Sequence, residues 1–136
     1  MANTKSIGVA FLDQDIIGAQ YLLSDEQLGY TTAAQGSVTQ LTSKSTAVTL
    51  NKSAGRITMN NAALAASAAA TFTLNNNLIS TNDIVILNIS GGATAAAYTV
   101  YVTSMAAGSA DISLRNLSAS SLSEAVIVNF ALIHCQ

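Results

Sequence analysis

Between Ser37 and Ile133 the apolar side chains recur with a period close to two, in short runs separated by turn-forming residues. Val48 and Leu50 flank Thr49, Ile57 and Met59 flank Thr58, and Phe72 and Leu74 flank Thr73. Tyr98, Val100 and Val102 alternate with Thr99, Tyr101 and Thr103, and Ile112 and Leu114 alternate with Asp111, Ser113 and Arg115. Successive side chains of an extended strand point to opposite faces, so this period sends one face of each run into a core and the other toward water. "NKSAG", "NNN", "SGGAT" and "AAGSA" lie between the runs and supply the residue types that turns require. Seven or eight strands over about 100 residues predict an all-β fold, a β-sandwich of jelly-roll or immunoglobulin-like topology.

Two runs are apolar at nearly every position: "DIVILNI" (83–89) and "AVIVNFALI" (125–133). Strands buried on both faces read this way. In a two-layer domain one face can meet the core and the other a neighbouring subunit. On the second run Val126, Val128, Phe130 and Leu132 share one face, and Ile127 and Ile133 the other. Ile127 and Ile133 are therefore candidate subunit-interface residues. Tyr101 joins them, because it falls on the polar side of its strand and tyrosine is enriched at subunit contacts. "NNAALAASAAATFTL" has helix-favouring alanines, but alternating residues precede and follow it. It is read as a connecting loop with at most one helical turn.

Residues 1–36 break the pattern. Ile7 and Val9, Phe11, Ile16 and Ile17, and Tyr21 to Leu23 form small apolar groups with acids between them. No helical period persists. The segment reads as an extended arm with anchor points, or equally as an edge strand with a frayed terminus. The chain thus divides into an N-terminal arm, 1–36, and a sandwich domain, 37–136.

Half of the 136 residues are hydrophobic and only 9% are charged, for a net charge of -2. The surface must therefore be made of Ser, Thr, Asn, Gln and Ala. It lacks the repulsion that keeps chains apart, which favours a protein packed against copies of itself or another protein. The chain has no proline to protect its strand edges. Five basic residues spread over the whole length make no stripe for phosphates, so no nucleic acid is expected as partner. No apolar run approaches the length of a membrane span, and none resembles a secretory signal, so no membrane is expected either. The Asn-x-Ser sequons at Asn51, Asn88 and Asn116 are read as chance.

Residues able to carry chemistry are few. The one histidine and the one cysteine, His134 and Cys135, are adjacent. Neighbours on a strand face opposite ways, so they cannot form a nucleophile and its base, and the pair reads as the end of a strand. One His and one Cys fall short of a structural zinc site. Asp13 and Asp15 have calcium-loop spacing, but "DQDIIGAQYLLS" lacks the later acidic ligands. No phosphate-cradling motif appears. Asp83, Asp111 and Glu124 each begin a predicted strand, where a solvated charge is ordinary. No enzyme, cofactor or metal is expected; the residues point to a structural or binding protein.

Four stretches, "KSIGVAFLDQDIIGAQ", "VTQLTSKSTAVTLNKSAGRITMNNAAL", "SGGATAAAYTVYV" and "ISLRNLSASSLSEAVIVNFALI", give the chain a wider likeness. Over nearly its full length it resembles the small proteins encoded beside the major capsid protein in tailed bacteriophages, some of which are head decoration (cement) proteins. The resemblance implies a β-sandwich on the outer surface of an icosahedral head, assembled in the host cytoplasm. It implies a homotrimer at threefold and quasi-threefold positions, with the major capsid protein as partner. Within that picture Ile7, Val9, Phe11, Ile16 and Ile17 are expected to anchor a capsid-binding arm. Such an arm would add a strand to an exposed capsid edge, and three arms would reinforce one another. The alternative is a head- or tail-fibre module that binds host glycan, against which the scarcity of aromatics counts. A hydrolase is the weakest reading, given so few acids.

Overall fold

The computed structural model describes residues 20, 21, 23 and 25–135. The expected arm anchors Ile7, Val9, Phe11, Ile16 and Ile17 lie outside the described residues. After a short 3-10 turn, Thr32–Ala34, the described residues form eight strands: β1 (Gln35–Thr39), β2 (Val48–Thr49), β3 (Ala54–Thr58), β4 (Ala69–Asn75), β5 (Ile84–Gly91), β6 (Tyr98–Ala106), β7 (Ser109–Asn116) and β8 (Ile127–Ile133). They make two four-stranded sheets, β1-β3-β8-β5 and β2-β4-β7-β6, packed face to face. The molecule is an all-β sandwich, as the alternation predicts.

Two of its strand pairings, β1 with β3 and β2 with β4, run parallel, unlike the antiparallel neighbours usual in the jelly-roll or immunoglobulin-like sandwiches expected. The cause is the path of the chain, which switches sheet at every step from β1 to β5. Two strands that follow one another within a sheet are then separated by a strand of the opposite sheet and come back in the same direction. Beyond β5 the pairing is antiparallel: β6 with β7, β7 with β4, and β8 between β3 and β5.

Alternation places the core. Phe72 and Leu74 from β4, Ile112 and Leu114 from β7, Ile57 from β3, and Val128 and Leu132 from β8 are almost wholly buried. Val126, Val128, Phe130 and Leu132 do share the inward side. The alanine stretch 62–68 contains no helix. Leu64 forms an isolated bridge with Leu122, each N–H donating to the other's carbonyl at 2.9 and 3.1 Å. β4 then starts at Ala69, ahead of the alternating Thr71–Leu74. The β6–β7 hairpin turns through Ala107 and Gly108, where Gly108 takes a φ of 81° that other residues adopt only under strain.

Candidate interaction surface

At one end of the sandwich the segment after β8 is tied to the turn before β5. The Asp83 carboxylate accepts from the Ser80 N–H at 2.8 Å, the Ser80 hydroxyl at 2.7 Å and the Cys135 N–H at 3.2 Å. It also meets His134 Nδ1 at 2.9 Å. These groups pull the Asp83 carboxyl down to about 2, with the Ser80 backbone N–H the largest cause. Asp83 is thus a buried anchor and not the solvated charge that its position at a strand start suggests. β8 ends at Ile133, as expected. The imidazole is held by Asp83, while the Cys135 thiol donates to the Ile133 carbonyl, 3.9 Å away. Among the described residues no three His, Cys, Asp or Glu side chains gather where a metal ion could sit.

At the opposite end a second polar network joins the loops. Lys44 is buried, and its ammonium donates to the carbonyls of Asn60 and Glu124, both at 2.5 Å. Burial lowers its pKa against the opposing pull of Glu124. Asn116 is fully buried, and its amide donates to the carbonyls of Leu64 at 2.9 Å and Ser120 at 2.8 Å. An amide so placed cannot accept a glycan, which agrees with reading that sequon as chance. The Glu124 carboxylate accepts from the Thr94 hydroxyl at 2.8 Å. Burial, with Glu124 nearby, pushes the Tyr98 phenol up to about 12. Both ends spend their polar groups on holding the fold together.

The outer faces of the two sheets differ. On the β2-β4-β7-β6 sheet, Thr71 and Ser113 share a hydrogen bond of 2.6 Å. Thr73 and Ser104 both donate to Asp111 at 2.7 Å, which lowers its pKa. Tyr101 stands exposed among these polar groups. On the β1-β3-β8-β5 sheet, the β1–β3 half presents Gln35, Ser37, Thr39, Arg56 and Thr58. On the β8–β5 half, Asn88, Asn129 and Ser90 are polar, with the Ser90 hydroxyl donating to Asn129 at 3.0 Å, and the apolar part is the end at Ile84, Ile86 and Ile133. Ile84 and Ile133 sit opposite one another and are 53% and 48% exposed, and Ile86, 52% exposed, faces Ala131. Beside them a groove of about 390 Å³ runs between Leu28–Tyr30 and Ala131–Ile133. The Tyr30 hydroxyl donates to the Leu132 carbonyl and fixes the chain there. Upstream, Tyr21, Leu23 and Leu28 are all exposed.

The three expected interface residues are not brought together. Tyr101 lies on one outer face, and Ile127 and Ile133 lie on the other. Ile127 is half-buried at the Gly91 end of β8, a strand length from Ile133. Ile84 and Ile86 were missed as interface candidates. The signal was present in "DIVILNI", whose doubly apolar run matches that of β8 and pairs with it. Comparisons with protein-family models, with curated proteins and with solved structures give no match. On its own geometry the chain is an all-β sandwich whose described residues leave one cluster of isoleucines, Ile84, Ile86 and Ile133, exposed on a sheet face.

Proposed function

We propose that this protein is a head decoration (cement) protein of a tailed bacteriophage, binding the outer capsid surface as a homotrimer. The observation that carries the reading is the exposed isoleucine cluster of Ile84, Ile86 and Ile133 on the β1-β3-β8-β5 sheet, beside the exposed leading segment. Apolar surface gathered in one place on a sparsely charged chain marks a surface meant to be covered. The sequence resemblance supplies the capsid as the place where that happens. Residues 1–19 would carry the capsid-binding anchors Ile7, Val9, Phe11, Ile16 and Ile17. The sandwich would bridge adjacent capsomers and resist the outward pressure of packaged DNA.

The test is the copy number of the chain relative to the major capsid protein in purified particles. Near parity is expected. A handful of copies per particle would favour a fibre module, and complete absence would overturn the virion reading. Deleting residues 2–20 should abolish capsid binding and leave the far-UV circular dichroism of the sandwich intact. Unchanged binding would remove the anchor role from the arm.

A further inference from the structure

We infer that the leading segment of one copy, through Tyr21, Leu23 and Leu28, covers the Ile84–Ile86–Ile133 face of a second copy, so that the protein associates head to tail by exchanging that segment. Among the described residues two apolar surfaces are left open. One is the end of the β5–β8 face where Ile84, Ile86 and Ile133 are about half exposed. The other is the leading segment, where Tyr21, Leu23 and Leu28 have little cover of their own. They lie next to each other, joined by the groove at Leu28–Tyr30, yet neither covers the other within one chain. Tyr30 is tethered to Leu132, so the segment leaves the sandwich at the rim of the isoleucine face.

Size and charge agree. Nine extended residues span up to about 30 Å, and a four-stranded sheet is roughly 15–20 Å wide. One segment can therefore cross the whole face of a neighbour. The strand residues facing outward on this sheet include a single charge, the exposed Arg56, and the segment carries Asp25 and Glu26. β5 is also an edge strand without proline, whose outer side chains bear no charge to turn away another chain. Each copy has one segment and one face, so the contact is heterologous, the kind that makes a ring where the rotation between copies closes and a filament where it does not. That it closes, and at three copies, rests on the decoration reading.

The experiment is analytical ultracentrifugation of the purified full chain without capsids, on the parent protein, Leu23→Asp, Ile86→Asp, and an equal mixture of the two variants. The parent should sediment as an oligomer, at three times the 13.9 kDa chain mass. Each variant should fall to monomer mass. The mixture should recover a two-chain species, because one intact face and one intact segment remain in each mixed pair. A monomeric parent, or variants that stay oligomeric, would overturn the inference. So would a mixture that stays monomeric, which would mean that face and segment do not meet. Leu23 lies outside every strand, so its variant reads out association even if Ile86→Asp disturbs β5. A monomeric parent found at parity with the capsid protein on particles would sink this inference and leave the decoration reading standing.

Discussion

Asp83 draws three protein donors and an imidazole onto one carboxylate, and most of them come from a few residues away or from beyond β8. Its folded value near 2 lies below the ordinary 3.8, so the folded protein keeps it ionised where the unfolded chain would take up a proton. That contribution to stability is whole above about pH 4 and disappears as the pH falls toward 2. Asp83→Asn should therefore lower the Tm at neutral pH, and the gap from the parent should shrink between pH 4 and pH 2 in a calorimetric series. Lys44 gives a second case. Lys44→Met would leave the Asn60 and Glu124 carbonyls without their donor, at a cost of about 1–3 kcal/mol in urea unfolding. Sequence reasoning could place His134 and Cys135 at a strand end, because that needs only local alternation. It could not find the Asp83–His134 pair, because the partners are 51 positions apart and meet only through the pairing of β5 with β8.

Two strands with a clear period, β4 and β7, bury their inward side chains almost completely. Their alternation is a record of burial and was legible for that reason. The parallel pairing of β1 with β3 and β2 with β4 was not, because alternation reports which face is buried and says nothing about the neighbour. The apolar runs of β5 and β8 were legible as two-sided, but not as one surface; that followed from their register, which sets Ile84 against Ile133. Turns add their own constraint. A Cβ on Gly92, at φ 64°, would lie 2.1 Å from the Ala125 carbonyl oxygen, whereas a Cβ on Gly108 would meet nothing within 4 Å. Gly108→Ala should cost about 1–2 kcal/mol for its left-handed backbone alone. Gly92→Ala should cost about 1–3 kcal/mol more, because the clash is with backbone that must move. Denaturant midpoints of the two variants would test the order.

For the whole molecule, the central place of β8 sets what a core defect does. Leu132 is fully buried where β8 lies against β5 and faces the opposite sheet. Leu132→Ala should cost about 2–5 kcal/mol and loosen both flanking strands together, which hydrogen exchange would register as simultaneous loss of protection in β3 and β5. The position of β8 also reaches into how the molecule is made. It is the last of the eight strands to leave the ribosome, yet it belongs in the middle of its sheet, between β3 and β5. The β2-β4-β7-β6 sheet has all its strands earlier and must wait with its apolar face uncovered. Contacts so distant along the chain form slowly, and the interval in which they are missing is when nascent copies are most prone to stick to one another. A protein produced in quantity would need either a fast arrival of β8 or a chaperone that shields the waiting sheet.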